Sequence, residues 1–398
     1  VSNFVLFVIA LFVIAALLRI DFFFSILYLF IGVYVATRFW TRRMLAKLTI
    51  ERSLPTHAFL GETVPVKLTV QNQSNLPVPW LMLNETFSNV LSTPPFFRQV
   101  ITLRGKASHA VTYELSARRR GYYAVGPLRL EAGDLLGLSR RLSGQFAAHA
   151  LIVYPKILPI ANLKLPTFSP QVILPASTPL FHDSTRLTGV RDYVPGDNPR
   201  HIHWPATAAT NRLLVKQFQT AIARETVIYL NMNLSEYGRS GQAEIALELA
   251  IITAASLANH MIAREALPVG LVTTAFDPVT ATPREFRVPP GKGQGHLMQV
   301  LEVLARIEGV ADPDFLRRLQ QEVVRLAWGT TITLITCQET DPLLQSVLLL
   351  KRSGFHVAVI FVQPAAYPYP RPQRVRILSI PAVHVTREKD VEVWPLLA

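Results

Sequence analysis

The distribution of apolar positions divides the chain into three regimes. Two uninterrupted apolar runs come first, Phe4 to Leu18 and Phe22 to Ala36, separated by Arg19 and Asp21. Each is slightly short of the roughly 17–25 residues that a lone membrane-crossing helix needs. Flanking Ser2, Asn3 and Thr37 to Trp40 supply the missing length. The pattern predicts two spans joined by a tight turn. A cleaved signal peptide would start with a basic stretch and would leave the second run unexplained.

A period of two follows from about Leu48 to Ile160. Val64, Val66, Leu68 and Val70 share one face, with polar residues between them. That alternation predicts half-buried strands. Similar runs recur in "HAVTYELSA", "GYYAVGPLRLEAGD" and "AAHALIVYP", separated by "NQSNLPVP", "LRGKAS" and "SARRRGYY". Short strands at this spacing predict an Ig-like β-sandwich.

From Glu225 onward, apolar strands alternate with amphipathic helices. "ETVIYLN", "LPVGLVTTA", "TTITLITC" and "FHVAVIFV" read as buried strands. A helix is expected after the first, with Ile245, Leu249, Ile252, Ala255 and Ile262 along one stripe. Leu297, Val300, Leu301, Leu304 and Ile307 mark a second helix, and "DPDFLRRLQQEVVRLA" a third. Thr340 as N-cap, Pro342 in the first turn and Gly354 as terminator frame a fourth. "VRILSI" and "AVHVTR" are expected as edge strands, and "PAAYPYPRPQR" as a surface loop. The alternation predicts an open, mostly parallel sheet of Rossmann-like build, covered on both faces.

The expected fold class is therefore α+β and multidomain. It comprises a transmembrane hairpin over 1–46, a β-sandwich over 47–160, a connecting segment over 161–224 and an α/β domain over 225–398.

Charge sharpens the membrane reading. The 398 residues carry 40 Lys+Arg against 27 Asp+Glu, a net charge of +13. Such an excess suits an anionic partner. Arg38, Arg42, Arg43, Lys47 and Arg52 follow the second apolar run. Positive residues stay on the cytoplasmic side. The hairpin is thus expected in the cytoplasmic membrane, with the soluble domains in the cytoplasm. Membrane lipid is the expected anionic partner and nucleic acid is not. The single cysteine, Cys337, excludes an internal disulfide and a cysteine-built zinc site.

The connecting segment concentrates the candidate chemistry. Pro195-Gly196-Asp197 forms a turn, because Pro presets one central dihedral and Gly accepts positive φ. Arg191, Asp192, Asp197, Arg200 and Lys216 can exchange charge-assisted hydrogen bonds, and Trp204 can anchor the segment in an apolar pocket. This predicts a structural clasp that can also present a partner surface. The alternative is a zinc-dependent or acid/base hydrolase built on His201, His203, Asp192 and Asp197, with His182 and Asp183 nearby. Two histidines two apart on a strand would share a face. Neither a nucleophile nor an orienting partner stands beside the carboxylates.

Two other stretches have weaker claims. "GKGQG" (Gly291 to Gly295) precedes a helix but lacks the Gly-Lys-Ser/Thr ending of a phosphate loop. Arg118 to Arg120 precede Tyr122 and Tyr123, a basic and aromatic pairing that is expected as a solvated turn.

The string Arg191-Asp-Tyr193-x-Pro195-Gly196-Asp197, Arg200-x-Ile202-x-Trp204, Ala208 and Leu213-x-Val215-Lys216-x-Phe218 resembles the bacterial domain-of-unknown-function 58 family. "RRRGYYAVGPLRLEAGDLLGL" and "LIVYPKI" resemble its β-region, and the likeness runs over nearly the whole chain. The resemblance implies a last domain like that of von Willebrand factor A, and association with a MoxR-type AAA+ ATPase in cell-envelope or complex-assembly work. It implies no assigned catalysis and no cofactor.

Von Willebrand A domains can hold Mg²⁺ with Asp-x-Ser-x-Ser after the first strand, a Thr on a second loop and an Asp after a later strand. The matching positions here read Asn231-Met-Asn233-Leu-Ser235, a loop without Thr, and Thr336-Cys337. Only Ser235 keeps its type. Neutral amides bind Mg²⁺ poorly, so no metal is expected. Asn231, Asn233 and Ser235 are expected instead as part of a protein-binding edge. The expected function is that of a membrane-anchored, non-enzymatic scaffold or adaptor.

Overall fold

The computed structural model describes the chain except 1, 19–20, 134–139, 162, 164–181, 195–198, 221–224, 239, 313, 324, 327–328, 367–368 and 395–398. It falls into two compact units. The first is Val1–Ile157 with Phe276–Arg284 and Met298–Glu308, and the second is the remainder.

The first unit opens with helices α1 (Ser2–Leu18) and α2 (Asp21–Leu45). The rings of Phe7 and Phe30 meet edge-on at 5.4 Å between the two helices. The apolar surface of the pair faces outward: Leu17 is 78% exposed and Tyr28 70%. Phe22–Leu45 is long and apolar enough to cross a membrane.

Ten strands follow: β1 (Leu48–Ser53), β2 (His57–Phe59), β3 (Thr63–Asn72), β4 (Val78–Thr86), β5 (Phe96–Leu103), β6 (Ser108–Ser116), β7 (Gly121–Val125), β8 (Leu128–Gly133), β9 (Arg140–Phe146) and β10 (His149–Tyr154). They form sheets ordered β1-β3-β6, β2-β10-β7 and β5-β4-β8-β9. The strict alternation of β3 places Val64, Val66, Leu68 and Val70 inward and buried. Leu68 and Val70 share a core with Leu81 and Leu83 of β4 and with Leu128 and Leu130 of β8, so two sheets face one another across it. Met44 of α2 is fully buried in that same core. The helix is thereby rooted in the β-region.

The second unit begins with the connecting segment. There β11 (His182–Asp192) pairs antiparallel with β12 (Leu214–Thr220), and α3 (Trp204–Thr210) lies between them in sequence.

The open sheet comprises β13 (Thr226–Leu230), β14 (Val269–Asp277), β15 (Thr282–Gly291), β16 (Thr331–Thr336), β17 (His356–Val362) and β18 (Ala382–Val385). Its order is β15-β14-β13-β16-β17-β18, and β14, β13, β16, β17 and β18 run parallel. Its helices are α4 (Ser240–Asn259), α5 (Gln294–Arg306), α6 (Phe315–Val323), α7 (Asp341–Arg352), α8 (Arg374–Ile377) and α9 (Glu388–Val393). The residues of β13 and β16 are all buried, as continuous apolar runs in a doubly covered sheet require. Thr340 caps α7 by accepting from the Leu343 amide at 3.4 Å, and Gly354 ends it at φ 88°.

Three expectations are corrected, on the Ile245 stripe, on "VRILSI" and on the two histidines. Gly241–Arg264 passes the same length and apolarity test as α2, yet 83% of its apolar window is buried, so it is a core helix. It touches the sheet on one side and α9 on another, and Ile245 of the expected inward stripe is 52% exposed. "VRILSI" is not an edge strand. It forms α8, because the Glu339 carboxylate accepts the amides of Gln373, Arg374 and Val375 and supplies the helix N-terminus with its partners. Thr282–Gly291, to which the sequence pattern assigned no element, is strand β15. It stands at the sheet edge, where the missing donors of Pro283, Pro289 and Pro290 are tolerated. His201 and His203 do not lie on a strand: His201 closes a 3₁₀ turn and His203 caps α3.

Candidate functional site

In an open α/β sheet, ligands bind beyond the carboxyl ends of the strands, where the strand order reverses. Here that point lies between β13 and β16, since β14 follows β13 on one side and β16 joins on the other. Asn231, Asn233 and Ser235 leave β13 there, and Thr336 ends β16 beside them.

The backbone first fixes the loop. The Asn231 amide donates to Ile335, and residues 232–234 exchange hydrogen bonds with Val310 in a short parallel bridge. A 3₁₀ turn, Leu234–Glu236, follows with Asn233 as its cap.

The side chains then close a network. Asn231 donates its amide to Glu236 Oε2 at 2.7 Å and to Thr336 Oγ1 at 3.2 Å. Asn233 donates to Glu236 Oε1 at 3.4 Å. Thr336 Oγ1 donates to Glu236 Oε2 at 3.3 Å. The amide oxygens point away from the carboxylate. Asn231 Oδ1 accepts the Asn233 amide at 3.0 Å. Asn233 Oδ1 accepts from the Ser235 amide, the Ser235 hydroxyl and the Asp312 amide. Buried Tyr237 donates to the Asn231 carbonyl at 2.8 Å. The buried Asp312 carboxylate forms an ion pair with Arg318.

Burial raises the Glu236 pKa above its ordinary value. The hydrogen bonds from Asn233, Thr336 and Asn231 oppose that rise, and the Asp312 charge adds to it. The Mg²⁺ that a von Willebrand A site would hold needs several inward oxygens. This donor set does not fit one. The amide oxygens are already engaged by backbone N–H groups, and amide hydrogens occupy the side that faces Glu236. Among the described residues, no group of three or more His, Cys, Asp or Glu could hold a metal ion.

The connecting motif is placed as follows. The Tyr193 amide donates to Leu213, Ile202 bridges Val215, and the His203 amide donates to Leu214. His203 Nδ1 accepts the Ala206 amide at 3.1 Å, and Thr207 Oγ1 accepts the Leu214 amide at 3.1 Å. The β11–β12 pair and α3 therefore close on one another. Val215 is buried and Lys216 half-buried. Arg191 and Asp192 are exposed, and Arg191 donates to the Asp192 carbonyl. Trp204 is 65% exposed at the first turn of α3 and fills no pocket, which corrects the expected anchor. Pro195, Gly196, Asp197 and the Arg200 side chain lie outside the described residues.

Glu236 is the central acceptor of the sheet-tip network, yet its type and spacing gave it no priority in the sequence. Asp312 and Tyr237 were not singled out either, because nothing local connects them to Asn233 and Asn231.

The comparisons with known proteins bear on this region. Residues 189–328 match the family described as "Protein of unknown function DUF58". The matched stretch runs from the end of β11 past the sheet tip and through α6. The uncharacterized protein YeaD of Bacillus subtilis is 22% identical over 188 residues, which is 44% of this chain and 45% of that protein. The chain thus matches less than half of this relative's length. Among solved structures, the CARDB domain of PF1109 from Pyrococcus furiosus is similar at a TM-score of 0.21 and 15% identity. It covers 27% of this chain and 86% of that one. A β-glucosidase from Listeria innocua is similar at a TM-score of 0.20 and 15% identity, over 28% of this chain and 16% of that one. At those scores neither likeness carries an argument about fold or function.

Proposed function

We propose that the chain is a non-enzymatic scaffold held in the cytoplasmic membrane by the α1–α2 hairpin, which presents its sheet tip to a protein partner. The observation that carries this reading is the closed polar network around Glu236. Its donors and acceptors engage one another, which leaves a shaped surface rather than a set of ligands or an acid/base pair. The exposed apolar surface of α1 and α2 supports the anchor, and the cations that follow α2 support a cytoplasmic orientation. On this reading the β-region is an Ig-like sandwich and the open sheet a von Willebrand A-like domain without its metal. The resemblance of the Arg191–Phe218 motif makes a MoxR-type AAA+ ATPase the first partner to seek.

The test is affinity purification of the tagged full chain from its native membrane in detergent, with mass spectrometry of what accompanies it. Wild type is expected to bring down an AAA+ ATPase. Ser235→Arg changes an exposed position at the tip, and should lose the ATPase while costing no more than about 1.5 kcal/mol, the worth of one hydrogen bond. Wild type that recovers no ATPase overturns the partner assignment.

A further inference from the structure

We propose that the end of α2 and two loops of the β-region together form a binding surface for anionic phospholipid headgroups. The inference rests on the reading of α2 as a membrane span, and goes beyond it by naming the surface and the lipid class.

The helix end is fixed rather than hanging on a tether, because Met44 is fully buried in the β-region core. Trp40 Nε1 donates to the Pro77 carbonyl at 3.3 Å, and the Gln73 amide donates to the Lys47 carbonyl at 3.0 Å. These bonds seat the loop between β3 and β4 against the helix end. The loop between β5 and β6 is locked to the first in turn. The Lys106 amide donates to Ser74 at 2.9 Å, and Asn72 Nδ2 donates to both Leu76 at 2.8 Å and Arg104 at 3.0 Å. Gly105 approaches Asn75 so closely that a Cβ would stand 2.3 Å from its carbonyl oxygen.

The result is a collar of Arg38, Arg42, Arg43 and Lys47 from the helix end, with Arg104 and Lys106 from a loop more than fifty residues away. All six are exposed. No acidic residue occurs between Arg38 and Ile50, in residues 73–77 or in residues 104–107. The aromatic residues an interface favours lie alongside. Phe39 and Trp40 are 63% and 42% exposed, and the Arg43 guanidinium stands 5.9 Å over the Phe39 ring. Cations in this position meet the headgroup layer directly beyond the apolar stretch of α2. Each basic residue beside an anionic leaflet strengthens attachment about fivefold. Free phosphate or nucleic acid would use the same charges but not their place at the end of an apolar helix.

The experiment is hydrogen–deuterium exchange on the full chain in lipid nanodiscs, either of phosphatidylcholine alone or with phosphatidylglycerol added. Protection of residues 22–36 in both discs checks insertion independently. Residues 73–77 and 104–107 are expected to exchange several-fold more slowly only with phosphatidylglycerol. Arg104→Gln/Lys106→Gln should abolish that slowing without changing residues 22–36, since both side chains are exposed and the loop bonds involve main chain. Equal loop exchange in the two lipids, with residues 22–36 protected, overturns the headgroup site alone. Exposed residues 22–36 in both discs overturn the membrane span beneath it. Slowing in neutral discs on addition of glycerol phosphate or an oligonucleotide reassigns the collar to a soluble anion and overturns the lipid source.

Discussion

The chain buries polar groups in two contrasting ways. In the β-region, full charges are sealed in. Arg52 meets Glu85 at 2.5 Å with their side chains 4% and 0% exposed. Tyr113 donates to Glu85 Oε2 at 2.6 Å, and Arg52 donates to the Ala147 carbonyl at 2.8 Å and stands 2.6 Å from His149 Nδ1. At the sheet tip, one half-exposed carboxylate is surrounded by neutral donors. The first arrangement is costly to create and tolerates no missing member, because a charge without its partner keeps the full desolvation penalty. The second loses one ordinary hydrogen bond when a member is removed. The β-region network therefore specifies a fold, and the sheet tip keeps freedom to vary its surface chemistry.

The strongest way to break this contrast is Glu85→Ala, which strands Arg52. It should cost about 3–5 kcal/mol in chemical unfolding of the detergent-solubilised full chain, and Arg52→Met/Glu85→Leu should recover most of the loss. A small effect of the single variant would erase the distinction between the two networks. Tyr113→Phe should cost about 1.5–3 kcal/mol by the same measurement, as a hydrogen bond to a charged acceptor is lost. The Tyr113 hydroxyl is itself held far from ionising, first by burial and then by the Glu85 charge and hydrogen bond, against the opposing pull of Arg52.

Acid titration should separate two carboxylates of opposite sign. Burial pushes the Asp277 pKa up, but hydrogen bonds from Arg306, Val279 and Thr280 and the Arg306 charge bring it below its ordinary value. Arg306 donates to it through Nε at 2.6 Å and Nη2 at 2.5 Å. The native state binds the proton less tightly than the unfolded chain. The stabilisation is therefore present above the ordinary aspartate range and lost as pH falls through the lower native value. Asp277→Asn should remove that acid-dependent loss. Glu236 has the reverse sign. Its raised pKa gives stability that is full below the ordinary glutamate range and is lost as pH rises through the native value. Glu236→Gln should change stability at neutral pH by no more than about 1 kcal/mol. It should flatten that part of the melting-temperature profile, and an unchanged profile would remove Glu236 as its origin.

The smallest effect concerns metal. Added Mg²⁺ should leave the melting temperature of the wild type unchanged. Asn231→Asp/Asn233→Asp, which supplies inward carboxylates, should make it rise with Mg²⁺ concentration. A wild type that responds to Mg²⁺ would show that the amides turn over to offer their oxygens.

Much of the architecture is legible in the sequence. The two apolar runs, the alternation through β3 and the frame of α7 from Thr340 to Gly354 are local signals, and they mark where α1, α2, β3 and α7 stand. The features that local pattern misread or left open share a cause. In α8, Glu339 supplies the missing N-terminal acceptors from another loop. Strand β15 carries three prolines and stands at the sheet edge, where missing donors are tolerated. α4 passes for a membrane helix by composition, and only the sheet and α9 around it decide otherwise. At the candidate site, Asn231, Asn233 and Ser235 were visible as departures from a metal motif. Glu236 was visible only as a possible substitute ligand that nothing in the spacing required, and the anchor Asp312 was not visible.

The sequence by itself determined the three regimes of the chain, the approximate sites of most strands and helices, and the charge that follows the second apolar run. Those are properties of periodicity and composition, which act within a few residues. Only the tertiary structure decided that Met44 roots α2 in the β-region and that Arg104 and Lys106 join the cations at its end. It alone decided, too, that the Asn231 and Asn233 amides turn their hydrogens toward Glu236. Hydrogen-bond direction and burial depend on neighbours distant in sequence, and no local pattern encodes which neighbour will arrive.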